Sequence, residues 1–229
     1  MRKLFFIVSA SLFLISCNMG DDLPRIENIR KGNKWTLRIG STPAEVYAQL
    51  QELNKEKKVE RVEIVGRKDF LKPEEVRDLI PLYDYLYLQY SAIDGGSWRT
   101  YISFRDGKVA SLSEYAMRPT SDSDKKKWPS DTPDEATIFI DDPVDKIYDK
   151  LLGIYQIPEY KNAKIQLYHK SLDLPFDPDM GNYSEWFFAF FERIGVSRDS
   201  RSSVNLFFKD GKLHRIRHQY DEFDFYNQE

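Results

Sequence analysis

The chain repeats itself once at long period, and such a repeat restricts a fold more than any local motif does. Thr36-Leu37-Arg38-Ile39-Gly40 is echoed by Thr137-Ile138-Phe139-Ile140-Asp141. Each copy runs into a helix start. The first is Thr42-Pro43-Ala44-Glu45, followed by Val46, Tyr47 and Leu50; the second is Asp142-Pro143-Val144-Asp145, followed by Ile147, Tyr148 and Leu151. Thr42 and Asp142 suit the N-cap, because a side-chain oxygen there accepts a free first-turn N–H. Pro43 and Pro143 suit the first helical position, where no N–H is needed. Glu45 and Asp145 complete capping-box patterns and favour the positive helix end.

The halves also end alike. Phe104-Arg105-Asp106-Gly107-Lys108 matches Phe208-Lys209-Asp210-Gly211-Lys212. Asp-Gly between strand-like runs is a preferred two-residue hairpin turn, since both central positions need positive φ. The helix starts lie 101 residues apart at Tyr47 and Tyr148, and the hairpins 104 apart at Gly107 and Gly211. Periodicity predicts helices over 43–54 and 143–155 and an extra helix over 73–79. It predicts strands over 59–65, 83–91, 99–104 and 108–115, then over 164–169, 183–193, 203–208 and 212–220. Residues 118–134, rich in Pro, Ser, Asp and Lys, read as a linker. The expectation is an α+β fold of two tandem units, 35–117 and 135–229. Each unit is a helix or helix pair followed by a four-stranded antiparallel sheet, with helices on one face and the other face open.

This arrangement resembles the β-lactamase-inhibitor-protein fold group, which includes small outer-membrane lipoproteins. Ile39-Gly40-Ser41-Thr42 with Val46, and the two Phe-x-Asp-Gly-Lys hairpins, carry the resemblance. It implies tandem units sharing one concave sheet. Asp141 stands where Gly40 does, so the second unit departs from the pattern, and no inhibitory contact residue carries over.

The first residues bear on location. Arg2 and Lys3 precede an uncharged, mostly apolar run over 4–15. That run is shorter than the roughly 20 residues a bilayer span needs, and it fits a signal-peptide core. Leu14-Ile15-Ser16-Cys17 resembles the bacterial lipobox. The resemblance implies a signal peptide over 1–16, cleavage before Cys17, lipid on Cys17 and a tether over 17–34. Asp21 and Asp22 resemble surface-export signals of Bacteroidetes lipoproteins, so the expected place is the outer membrane, facing the periplasm or the exterior. Cys17 is the only cysteine, and lipidation accounts for an otherwise unpaired exported thiol. Loss of residues 1–16 removes two basic residues and no acids, taking the net charge from −3 to −5 and arguing against nucleic acid as a partner.

Strand alternation suggests where a partner binds. Leu82, Leu86 and Leu88 point one way, toward the helices; Tyr83, Tyr85 and Tyr87 point the other, joined by Arg99, Tyr101 and Ser103. Tyrosine and arginine are the residues of binding hot spots, although aromatic stripes also serve simply as cross-strand packing. In the second half Trp186, Phe187, Phe188, Phe190 and Phe191 make both faces apolar, which predicts a joined sheet or a dimer.

Catalytic patterns are absent. No phosphate loop, nucleophile elbow or zinc-protease motif occurs. His214 and His218, on a predicted strand, lie roughly 13 Å apart, too far for one metal. Asp177-Pro178-Asp179-Met180-Gly181-Asn182 approaches a calcium loop but places Gly and Phe188 wrongly. The sequence therefore predicts a non-catalytic, lipid-anchored envelope protein. It needs no cofactor or metal and binds another protein through an aromatic sheet face. The alternatives are a glycan-binding accessory of polysaccharide uptake and a structural envelope scaffold.

Overall fold

The computed structural model describes residues 24–59, 61–91, 95–116 and 125–224. The signal peptide and Cys17 lie outside the described residues. In chain order the elements are β1 (Arg25–Ile29), β2 (Asn33–Lys34), β3 (Leu37–Arg38), α1 (Pro43–Lys57), β4 (Arg61–Ile64), β5 (Tyr85–Ser91), β6 (Ser97–Arg105) and β7 (Lys108–Ala116). There follow β8 (Lys127–Trp128), β9 (Ile138–Phe139), α2 (Val144–Ile154), β10 (Lys164–Tyr168), β11 (Lys170–Ser171), β12 (Glu185–Arg193), β13 (Arg198–Lys209) and β14 (Lys212–Asp224).

The local signals act where they were read. Thr42 and Glu45 form the reciprocal capping box of α1, Pro43 opens the helix, and Val46, Tyr47, Leu50 and Leu53 make its buried stripe. Asp106 and Gly107, and Asp210 and Gly211, all have positive φ at the β6–β7 and β13–β14 turns. The second cap differs. Asp142 does not cap α2: its carboxylate accepts the Phe139 N–H at 2.7 Å and pairs with Lys150 at 2.7 Å, leaving Pro143 at the N-cap without a side-chain bond. The helix expected over 73–79 is instead a pair of 3₁₀ turns at Pro73–Glu75 and Ile80–Leu82.

The tandem arrangement is overturned. The described residues are mostly β, 45% strand and 21% helical, and they do not form two consecutive units of one helix and four strands. A six-stranded sheet runs β1-β14-β13-β12-β4-β11 and a four-stranded sheet runs β10-β5-β6-β7. The halves exchange strands. First-half β4 pairs with second-half β12, setting Ile64 opposite Trp186 and Glu63 opposite Phe187. Second-half β10 pairs with first-half β5, from Lys164 opposite Gln89 to Tyr168 opposite Tyr85. The helices follow their strands. α1 lies against β12, β14 and the 3₁₀ turn at Pro178–Asn182, while α2 lies against the turns at Pro73–Glu75, Ile80–Leu82 and Asp134–Ala136. Tyr47 fastens the exchange: its hydroxyl donates to the carbonyls of Ser171 and Leu174, at 2.7 and 2.8 Å. One apolar core contains residues of both halves.

Two segments read as connections belong to the body. Residues 25–29, within the expected tether, form β1 on the edge of the six-stranded sheet, with Arg25 opposite Tyr220. Residues 127–128, within the expected linker, form β8 against β9, and Trp128 is 1% exposed. Short ladders and a single buried indole do not register in a composition count.

Candidate functional site

The two sheets meet edge to edge at His169. Its φ of +51° breaks one strand into β10, in the small sheet, and β11, which pairs with β4 in the large one. The return chain after β4 crosses the same seam, where Phe70 and Ile165 exchange backbone hydrogen bonds of 2.8 Å. Side chains bridge the outer faces across this seam. His169 Nε2 meets Glu63 Oε1 at 2.9 Å, and the His169 ring packs edge-on to Tyr85 at 5.0 Å. The His169 contact, more than the flanking arginines, holds the Glu63 carboxyl below its ordinary pKa against the opposing effect of burial.

Register fixes which side chains share the outer face of the small sheet, because successive residues alternate. One cross-strand row holds Lys164, Gln89, Arg99 and Tyr115; the next holds Gln166, Tyr87, Tyr101 and Ser113; the third holds Tyr168, Tyr85, Ser103 and Ser111. Leu86, Leu88, Ile102 and Leu112 fill the opposite, buried face. Tyr85, Tyr87, Arg99 and Tyr101 thus stand together as expected.

Tyr83 does not join them. It follows the turn at Ile80–Leu82 and precedes β5, is 6% exposed, and donates its hydroxyl to Asp177 at 2.6 Å. That bond and a second, from the Asp179 N–H at 2.9 Å, engage both oxygens of Asp177 in structure, in the segment that approached a calcium loop.

Three members were missed: Tyr115, Tyr168 and Arg67. The first two were legible, because Ser111/Ser113/Tyr115 and Lys164/Gln166/Tyr168 alternate in phase with the tyrosines already read. Arg67 lies in a loop without periodicity; its guanidinium carbon sits 3.1 Å from the centre of the Tyr168 ring, and its amine 3.6 Å from Glu63.

Tyr87 is the centre of the cluster. Its ring lies 4.9 Å from Tyr101 and 5.8 Å from Tyr168, with Arg99 5.9 Å above it, and Tyr101 continues to Tyr115 at 5.7 Å. Burial pushes the Tyr87 hydroxyl up to about 12, against the pull of Arg99. The ring planes of these pairs are inclined by 52–78°. Such inclined packing braces Tyr101, Tyr115 and Tyr168, as the His169 ring braces Tyr85, and all four stay half-buried on the open side. A braced aromatic loses little entropy when a partner covers it.

The large sheet keeps Trp186, Phe188 and Phe190 in the core and turns Phe187 and Phe191 outward. The first half does not cover that outer face, since the halves join at their edges. Arg215 stacks on Phe207 at 3.8 Å, and Arg201 lies over Phe191 at 5.8 Å.

Behind the seam lies Lys170, fully buried beside the rings of Tyr47 and Tyr83. Its amine donates to the Leu82 carbonyl at 2.5 Å. Burial lowers it to about 8, against the opposing fields of Asp177 and Asp84. Between pH 8 and its ordinary pKa of about 10.5, the unfolded chain binds a proton that the folded chain has given up. Stability therefore rises with pH across that window. Tyr47 and Tyr83, pushed up by burial, oppose the rise above about pH 10, where unfolded tyrosines ionise first. The buried tyrosines offset much of this in the native chain, so the Lys170 contribution is read as the difference from Lys170→Met: in urea melts the native chain should gain about 2 kcal/mol relative to Lys170→Met from pH 8 to 10. A stability difference between the two that does not change with pH would assign the proton to another group.

Among the described residues, no group of three His, Cys, Asp or Glu side chains is placed to hold a metal. His214 is exposed on β14, while His218 faces inward, with Nε2 3.1 Å from the Ser202 hydroxyl. Among the described residues, no helix is long and apolar enough to cross a membrane. No family model, no curated protein and no solved structure matches this chain.

Proposed function

We propose that this chain is a lipid-anchored envelope protein that binds another protein on the aromatic face of its small sheet. One observation carries the reading: Tyr85, Tyr87, Tyr101, Tyr115 and Tyr168 converge with Arg67 and Arg99 on the face away from the helices. Tyrosine and arginine at the centre of an open face supply large contact area and the energetics of hot spots. The inclined rings offer an irregular surface to protein side chains, which favours a protein over a sugar chain lying flat on parallel rings.

The test is a photo-crosslinker at Tyr101 in intact cells. A single captured protein, lost when the crosslinker moves to Glu52 on the exposed side of α1, is the expected result. Binding of that protein to the Tyr101→Ala/Tyr115→Ala variant should weaken at least 30-fold, the factor equivalent to about 2 kcal/mol at a hot spot. Equal capture at both positions, or unchanged affinity, would discard the site. A glycan captured in place of protein would move the reading to a polysaccharide-uptake accessory.

A further inference from the structure

The end of the large sheet opposite the Asp210–Gly211 turn carries apolar side chains that the body does not cover. The turn between β12 and β13 sets Val196 at its tip, 98% exposed, beside exposed Ile194. Just behind it Phe191 is 59% exposed, and its ring meets that of Phe223, also exposed, at 6.3 Å. Exposed apolar residues scattered singly need no explanation, but four gathered at one end of one sheet do.

Charge around the tip is mixed. Arg193 pairs with Asp199 at 2.5 Å and Arg198 with Glu222 at 3.0 Å, so the surface has no strong field toward either sign.

The direction of β1 says what lies beside this end. β1 is antiparallel to β14, with Arg25 opposite Tyr220 and Ile29 opposite Ile216. Going backward from Arg25, the chain heads along β14 toward Asp221–Asp224, and Asp224 is opposite Arg198 at the base of the tip. Four residues of strand separate the level of Arg25 from the level of Arg198, about 13 Å. The eight residue steps from Cys17 to Arg25 reach at most about 28 Å. The Asp210–Gly211 end lies about eight strand residues, roughly 26 Å, from the level of Arg25, so a lipid on Cys17 would hold the Val196 end nearer the bilayer than that end.

We infer that Ile194, Val196, Phe191 and Phe223 form a membrane-contact tip that dips into the interface of the bilayer holding Cys17. The inference rests on the lipid-anchor reading above. Contact comes from apolar area rather than from charge, so zwitterionic and anionic bilayers serve equally. Paired arginines and carboxylates remain at headgroup level, where long charged side chains keep their heads in water. A second fixed point beside the lipid would hold the sheet in one orientation, whereas a lipid alone leaves it free to swing.

The test uses the full chain, processed in a lipoprotein-exporting bacterium and reconstituted in phosphatidylethanolamine vesicles with and without phosphatidylglycerol. With Cys17 lipidated, Val196→Cys and, separately, Lys209→Cys each supply one free thiol for a fluorophore. Spin labels on the lipid acyl chains should quench the dye at 196 at least threefold more than the dye at 209, in both vesicle types. Equal quenching overturns the tip. A dye at 196 shielded from aqueous iodide but not quenched by lipid also overturns it, and indicates a second copy or another protein there. Protein mass separates the two failures: unmodified Cys17 and no flotation with vesicles defeat the anchor reading and the tip with it, whereas lipid on Cys17 with an aqueous 196 defeats the tip alone.

Discussion

Residues 24–116 expressed alone should give no cooperative unfolding transition, and neither should residues 125–224; mixed or co-expressed, the two pieces should regain one. The exchange of strands is the reason. Without the second half, β5 loses β10 as its neighbour, and Leu86, Leu88, Ile102 and Leu112 lose the second-half members of their core, among them Ile138, Ile147, Leu151 and Ile165. Without the first half, β12 loses β4 and the large sheet loses α1, with its buried Val46, Tyr47, Leu50 and Leu53. Each such side chain contributes roughly 1.5–3 kcal/mol by burial. Four of them match the whole stability of an ordinary domain, about 5–15 kcal/mol. Urea melts followed by tryptophan fluorescence and near-ultraviolet circular dichroism would read this out. A cooperative melt with native-like aromatic signal from either piece alone would show that a half folds on its own.

The same exchange marks where sequence reasoning reaches its limit. α1 with β4 and α2 with β10 occupy equivalent places in the repeat. Each meander, β5-β6-β7 or β12-β13-β14, therefore accepts either helix and strand by the same alternation and the same turns. A pattern that fits two partners equally cannot choose between them. The choice is made by features with no period, such as the Tyr47 hydroxyl reaching the carbonyls of Ser171 and Leu174, and the kink at His169. What depends on neighbours in the chain was legible: the Thr42–Glu45 box, both Asp-Gly turns, and the phase that puts Tyr85, Tyr87, Arg99 and Tyr101 on one face. Tyr83 shows how narrow that legibility is. It shares the phase of Tyr85, but it stands before the ladder starts, and Asp177 draws it inward.

Trp128→Ala should cost about 3–5 kcal/mol, the usual loss for emptying an aromatic site in a packed core. A residue in a true linker would change stability by no more than about 0.5 kcal/mol. The indole packs against Tyr160 at 5.1 Å and Tyr90 at 6.0 Å, and its N–H donates to Glu114 at 2.9 Å. Glu114 also accepts from the Tyr90 hydroxyl and pairs with the Lys125 amine, so removing the indole unsettles a whole polar cluster. Trp128→Phe separates the two contributions. It keeps most of the packing and removes the bond to a carboxylate, which should cost about 1.5–3 kcal/mol. Denaturant midpoints at constant m-value give both numbers. If both variants lie within 0.5 kcal/mol of the parent, residues 127–128 are the connection their composition suggests, and β8 does not stabilise the fold. If alanine costs about 3 kcal/mol or more and phenylalanine clearly less, the segment joining the halves is itself part of the core, and the two sheets are held together by more than their exchanged strands.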